Sequence, residues 1–499
     1  MKLVFHGHEE RYAVEQSLLN FFPEERPAYE GDEENIADVT LQCTELTARA
    51  ETHIHWNGKD GRGRARVDLG GITDEFELVR ERHRAIKLSF FRAAKEVLDV
   101  APPWGALTGI RPGKMAERYL LEGKTPQEVS RILADPFGVT APRRRLAIES
   151  AVAGLRAKEQ IREKDISLYL GIPFCPTRCS YCSFVSNSVE KSFNLIEPYL
   201  EALYKEIDDA AVMVQELGLT VRSFYMGGGT PTTLSAEQME GLLNHLRSRF
   251  DFSECIEFTV EAGRPDTITR EKLLALKRCG VDRISVNPQT MEDHVLTAIG
   301  RRHTAEEVER AMELVREIGF EHVNMDLIAG LPEDTPAGFR RTLQRVLCMG
   351  ADNITIHTLS LKKGSRILLE GSRIPDAHEV GEMLDYADPI LRKAGFAPYY
   401  LYRQKYQSGS FENVGWCHEG AESLYNIYIM EELMTILSLG AGGSTKMVDQ
   451  KNEHIERVFN LKYPKEYIDR PEKIAENHAA FREFYEELSA HTDNGEQPQ

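Results

Sequence analysis

No run of apolar residues in this chain approaches the ~20 needed to cross a bilayer. The opening Met1-Lys-Leu-Val-Phe-His has none of the apolar core of a signal peptide. Cysteine is sparse, eight in 499 residues, and shows no paired framework of a secreted domain. Positive charge is in deficit: 61 Lys and Arg stand against 79 Asp and Glu, a net charge of −18. That excludes a general affinity for nucleic acid or an anionic membrane, which needs a basic surface. Neither glycine run, Gly227-Gly-Gly-Thr-Pro231 or Leu439-Gly-Ala-Gly-Gly-Ser-Thr-Lys446, has P-loop spacing, so P-loop nucleotide hydrolysis is excluded. A protein of a reducing cytoplasm, without a membrane span, is the expectation.

What is present is globular. Hydrophobic residues make up 41% and charged residues 28%. The chain is too long for one ordinary core, so two or three domains are expected.

Three of the eight cysteines fall within eight residues, Cys175-Pro-Thr-Arg-Cys179-Ser-Tyr-Cys182. Thiolates this close suit a soft metal centre, an iron–sulfur cluster or zinc. A structural zinc site closes with four ligands, so three suggest a cluster with one iron left open. The alternatives are a zinc knuckle completed from afar, by His357 or Cys417, and a chance grouping of buried thiols.

Residues 1–165 read as a separate α+β domain. Strands are expected at Lys2–Phe5, Ala37–Leu46 and Ala48–Trp56, with helices at Arg11–Phe21 and Glu77–Val100. Lys59-Asp-Gly-Arg-Gly reads as a hairpin turn, with a returning strand from Arg64 to Leu69. Trp104-Gly-Ala-Leu-Thr-Gly-Ile-Arg-Pro-Gly-Lys is either an ordered functional loop or a linker packed by its tryptophan.

From residue 166 to 375 short β-rich runs alternate with helical stretches. Six strands are expected: Ser167–Ile172, Ser223–Gly227, Glu257–Ala262, Arg283–Asn287, His322–Ile328 and Asn353–Leu359. The helices between them start at Ile196, Ala236, Glu271, Ala305 and Ala337, with N-caps at Ser235 and Thr304 and glycine stops at 218, 280 and 319. This is an α/β pattern with a parallel sheet, and six units describe a partial (β/α)6 barrel of TIM type rather than a closed one of eight. Residues 376–490 read as a mainly helical substrate-covering region, and 491–499 as a frayed tail.

In such a sheet the chemistry collects at the C-terminal strand ends. Tyr169 precedes the cysteine loop, and Gly227-Gly-Gly-Thr-Pro231 follows the second strand. Glu261, Gln289 and Asp326 lie on or just past the next three, and Arg301 heads a basic turn before a helix. Each polar group alone is readable as a satisfied core residue; their shared placement points to a ligand.

These residues, in this order and spacing, resemble the oxygen-independent coproporphyrinogen III oxidases of the radical S-adenosylmethionine superfamily, and within them the coproporphyrinogen dehydrogenase branch. The likeness runs from about Ser167 to Leu359 and more weakly to about Asp469. It implies that Cys175, Cys179 and Cys182 ligate a [4Fe-4S] cluster whose fourth iron binds S-adenosylmethionine. Tyr169, Gly228 and Glu261 would position that cofactor. Members hold a second S-adenosylmethionine, and Tyr181, Gly229, Thr230, Gln289, Arg301 and Asp326 match its contacts. The implied reaction is oxidative decarboxylation: a 5′-deoxyadenosyl radical takes hydrogen from the β-carbon of a propionate, and loss of CO2 and an electron leaves a vinyl group. Two rounds take coproporphyrinogen III to protoporphyrinogen IX. The implied partners are this tetrapyrrole and an electron donor such as flavodoxin or ferredoxin.

The chain departs from the best-known oxidases at Phe184, where they carry a further cysteine, and at Gly171, where they carry histidine. A radical enzyme on another substrate is therefore one alternative. Another is a haem or tetrapyrrole carrier, since related proteins pass haem on. They carry histidine where this chain has Glu412, although Cys417 and His418 are adjacent potential ligands. Tyr399, Tyr400, Tyr402, Arg403 and Lys405 are read either as half-buried strand residues or as the lining of a site for a flat, carboxylate-rich substrate.

Overall fold

The computed structural model describes residues 1–31, 33–99, 102–182, 187–188, 192–360, 373–404, 408–449, 451 and 454–493. Phe184, Lys405 and the end of the tail, 494–499, lie outside the described residues. The chain divides into two compact units, Met1–Val152 with Leu401–Glu412, and Ala153–Tyr400 with Asn413–Gln499.

The first unit holds a four-stranded sheet in chain order: β1 (Lys2–His6), β2 (Ile36–Cys43), β3 (Thr47–Trp56) and β4 (Lys59–Asp68). The expected turn is displaced. Trp56 pairs with Lys59, so the hairpin closes at Asn57-Gly58, whose φ values are 48° and 76°. Two consecutive positive φ angles are what Asn-Gly supplies to a two-residue hairpin. Gly61 and Gly63 lie inside β4 instead, where the helix Glu75–Val97 crosses it. A Cβ on Gly63 would stand 1.9 Å from the Ser89 carbonyl, and one on Gly61 2.2 Å from that of Ala93. These glycines serve close helix packing, not a turn.

Trp104 is fully buried. Its indole N–H donates to the Glu412 carboxylate at 2.7 Å, and Arg143 Nε donates to the other oxygen at 3.0 Å. Arg403 is also spent internally, on the carbonyls of Leu107 and Ser410 and on Asn20 Oδ1. Its guanidinium is thus not on offer to a carboxylate-rich substrate.

The second unit carries the six expected parallel strands: β5 (Asp165–Ile172), β8 (Thr220–Gly228), β9 (Glu257–Gly263), β10 (Arg283–Val286), β11 (His322–Ala329) and β12 (Asn353–Thr358). Two short strands, β6 (Phe174–Cys175) and β7 (Asn187–Ser188), pair across the cysteine loop. Ser235 and Thr304 close capping boxes, and Gly319 ends its helix left-handed at φ 79°. With β13 (Ala397–Arg403), β14 (Glu412–Cys417), β15 (Thr435–Leu439), β16 (Ser444–Asp449) and β17 (His454–Phe459), the hydrogen-bonded order of the large sheet is β13-β14-β12-β11-β10-β9-β8-β5-β15-β16-β17. Strand β5 therefore pairs with β15, not with β12, and the six-unit barrel stays open.

The outer strands β13, β14, β15, β16 and β17 come from the C-terminal region. That region carries more helix than strand, in Ala377–Lys393, Leu424–Glu431, Pro464–Asp469 and Pro471–Asp493. Its extension of the sheet is not legible in the sequence, because short buried runs such as Thr435–Leu439 show no period that separates strand from helix. Tyr399 and Tyr400 are buried strand residues. No helix among the described residues is long and apolar enough to cross a membrane.

Candidate cluster and cofactor site

The loop after β5 is fixed by the glycine run after β8. Gly229 N–H donates to the Ile172 carbonyl at 2.8 Å, and Thr230 N–H to that of Phe174 at 2.7 Å. A Cβ on Gly229 would stand 2.5 Å from the Phe174 oxygen, so only glycine lets the two backbones close. A glycine run can offer such N–H groups to a ligand; here both are spent on the cysteine loop. Thr230 Oγ1 lies 3.5 Å from Cys175 Sγ.

Cys175 is buried, while Cys179 and Cys182 are partly exposed. On the loop's far side Ser180 N–H donates to the Ile299 carbonyl at 3.1 Å. Arg301 donates to the Tyr181 hydroxyl at 3.1 Å and to the Asn287 carbonyl at 2.5 Å. Among the described residues no three His, Cys, Asp or Glu side chains close on a single point. A cluster needs no such point, since in a cube each thiolate takes a different iron.

Glu261 sits across from the glycine run. It accepts the Tyr225 hydroxyl and the Gly228 N–H. Burial, reinforced by the charge of Asp326, pushes its carboxyl up to about 7 against those two donors. Burial would also raise Asp326, but the nearby His357 and the Asn324 amide, which donates to it at 2.8 Å, hold it below the ordinary value. Gln289 takes a positive φ of 69°, and its N–H reaches the Asp326 carbonyl at 2.9 Å.

The twelve residues expected from the sequence lie in the C-terminal halves of five of the parallel strands, β5, β8, β9, β10 and β11, or in the segments that follow them, Arg301 after the short helix Asp293–Ala298. The structure adds Tyr225 and Tyr425, and it sets His357, a candidate only for distant zinc ligation, beside Asp326. Tyr225 stacks on Tyr425 at 4.4 Å between ring centroids, and Tyr169 lies 6.3 Å from each. Tyr225 was legible as an in-facing position two residues before Gly227. Tyr425 was not, because it arrives from a distant helix.

The zinc alternative gathers no support. His357 pairs with Asp326 at 3.8 Å, and Cys417 pairs with Asn353 at the opposite end of β12. Gly171 also has a local reason: a Cβ there would stand 2.9 Å from the Ala441 carbonyl, so a histidine has no room.

The fit to the implied cofactors rests on unpaired atoms. Gln289 Oε1, Asn287 Oδ1 and Arg301 Nε are buried with no partner among the described residues, and Arg301 reaches the cysteine loop at Tyr181. Buried polar groups left open in this way ask for a ligand of matching donors and acceptors, and a carboxylate-bearing nucleoside supplies both kinds.

The family profile described as the radical SAM superfamily matches residues 169–346. The oxygen-independent coproporphyrinogen-III oxidase-like protein HemZ of Bacillus subtilis is 34% identical over 474 residues, spanning 94% of this chain and 95% of that protein. The heme chaperone HemW of Bacillus subtilis is 30% identical over 326 residues, 64% of this chain and 79% of that protein. Among solved structures, coproporphyrinogen III oxidase (HemN) from Escherichia coli superposes with a TM-score of 0.51 at 23% identity, over 64% of this chain and 72% of that one. The radical SAM domain implies a [4Fe-4S] cluster and S-adenosylmethionine. The chain belongs to the radical S-adenosylmethionine superfamily, among the oxygen-independent coproporphyrinogen-III oxidase-like proteins.

Proposed function

We propose that this protein decarboxylates the propionates of coproporphyrinogen III to vinyl groups. The observation that carries the reading is that Arg301 binds both the three-thiol loop, at Tyr181, and Asn287, while Arg301 Nε, Asn287 Oδ1 and Gln289 Oε1 are buried and open among the described residues. The likeness to HemZ over nearly the whole chain supplies the substrate class.

In this reading Cys175, Cys179 and Cys182 hold the cluster. With a cluster and S-adenosylmethionine bound, the site would have radical chemistry for taking hydrogen from the substrate. Tyr169, Gly228 and Glu261 orient the cofactor. Tyr181, Gly229, Thr230, Gln289, Arg301 and Asp326 line the place of a second S-adenosylmethionine, with Gly229 offering close backbone rather than a free N–H. Arg301 presents a charge suited to a carboxylate. The aromatic wall of Tyr169, Tyr225 and Tyr425 excludes water, which protects a radical from quenching. A one-electron carrier such as flavodoxin or ferredoxin delivers the electron, in a reducing cytoplasm.

The test is an anaerobic assay of reconstituted protein with coproporphyrinogen III, S-adenosylmethionine and dithionite. Protoporphyrinogen and 5′-deoxyadenosine are expected together. Deoxyadenosine without loss of substrate CO2 would move the chemistry to another substrate. The HemW likeness favours a second reading, a haem carrier. It requires a Soret shift on adding haem at micromolar concentration, weakened in His418→Ala. Against it, Glu412 is already paired with Arg143 and Trp104, and Cys417 is buried.

A further inference from the structure

We infer that Arg264 is a positioning residue for the cysteine loop, an inference that rests on the cluster reading of this site. Arg264 lies past the end of β9, outside every motif of the resemblance, and its side chain is 3% exposed. Two of its nitrogens grip Asp266: Nε on Oδ1 at 2.9 Å and NH2 on Oδ2 at 2.6 Å. The guanidinium is planar, so this two-point grip fixes where the third nitrogen points. That nitrogen, NH1, donates to Thr177 twice, to Oγ1 at 2.6 Å and to the carbonyl at 3.2 Å.

Thr177 stands in the three-residue span between Cys175 and Cys179. Its hydroxyl accepts from Arg264 and donates onward to the Gly300 carbonyl at 3.3 Å. Gly300 follows Ile299, which takes the Ser180 N–H, and precedes Arg301, which holds Tyr181. The loop is therefore held from the turn after β9 on one side and from the turn before Arg301 on the other. Thr177 is where the two holds meet.

The physical consequence is pre-organisation. A loop whose middle carbonyl and hydroxyl are fixed sets the separation of its first two sulfurs before iron arrives. Less ordering entropy is then lost on binding the cluster. Lysine cannot substitute, because a point charge on a flexible stem grips Asp266 without aiming at Thr177.

The test uses reconstituted holoprotein and two variants, Arg264→Lys and Thr177→Val. Thr177→Val leaves the Arg264–Asp266 pair intact and keeps the side chain's shape, so it decides the matter if Arg264→Lys folds poorly. Three quantities are read: iron release into a ferrous chelator, the electron paramagnetic resonance line shape of the reduced cluster, and the thermal midpoint. Iron release about tenfold faster is expected in each variant, as for the loss of one charge-assisted hydrogen bond, with an altered line shape. The midpoint of Thr177→Val should stay at the wild-type value. Wild-type release and line shape in Thr177→Val would overturn this inference alone. A wild-type protein that takes up no iron would overturn the cluster reading and this inference with it.

Discussion

The carboxylate of Glu257, on β9, accepts the backbone N–H of Leu424 at 2.7 Å. It also takes the Tyr425 N–H at 3.1 Å and the Ser423 hydroxyl at 3.2 Å, while Arg283 Nε stands 3.5 Å away. A carboxylate from the parallel sheet thus caps a helix from the C-terminal region, where the unpaired N–H groups and the helix dipole favour negative charge. The cap seats Tyr425 on Tyr225, and Tyr225 donates to Glu261. Glu257 and Glu261 share a strand face, so one strand both anchors the C-terminal region and supplies a site carboxylate.

Glu257→Ala leaves Arg283 buried without this partner and the helix without its cap. Loss of one member of a buried pair costs about 3–5 kcal/mol. Urea unfolding should show a drop in that range, and a drop below about 1 kcal/mol would remove the anchoring role.

Cys179→Ala should abolish the broad visible absorption of the reconstituted cluster and reduce iron uptake. The far-ultraviolet circular dichroism should not change, because the parallel strands are packed by apolar side chains such as Leu168, Val260 and Leu327. Full activity with Cys179→Ala would refute the cluster assignment.

Gly229→Ala inserts a methyl 2.5 Å from the Phe174 carbonyl and 2.9 Å from that of Ile172. Backbone must move to accept it, a cost of about 1–3 kcal/mol. The strain falls on the cysteine loop, so iron retention is expected to fall further than global stability. Comparing chelator release with the urea midpoint checks this; equal iron retention in mutant and wild type speaks against it.

Glu206 offers a pH test away from the site. Burial pushes its carboxyl up to about 7 from an ordinary 4.5, although Tyr467, Gly440 and Asn460 donate to it. A raised carboxyl pKa means that the folded state binds the proton more tightly. The contribution is fully present below about 4.5 and is lost as pH rises through about 7. Relative to Glu206→Gln, wild-type stability should decline by roughly 3 kcal/mol between pH 4.5 and 8, at 1.36 kcal/mol per unit. A difference that stays flat across that range would contradict it.

A glycine run such as Leu439–Lys446 can offer backbone N–H groups to a ligand. The structure fills it from within, since the Gly440 N–H goes to Glu206 at 2.6 Å and the Ala441 N–H to Tyr199 at 3.0 Å. A glycine run announces open N–H groups but not who takes them. The same limit applied to Gly229 and Thr230, whose N–H groups serve the neighbouring loop.

The sequence by itself determined the six-strand alternation, the capped helices between the strands and the residues gathered at their ends. Those features are local: periodicity, caps and the side chain at a strand end depend on neighbours a few positions away. Only the tertiary structure decided that Tyr425 joins Tyr169 and Tyr225, that Arg264 reaches Thr177, and that Glu257 caps Leu424. These contacts join residues far apart in sequence, where no short-range pattern fixes which polar groups will meet.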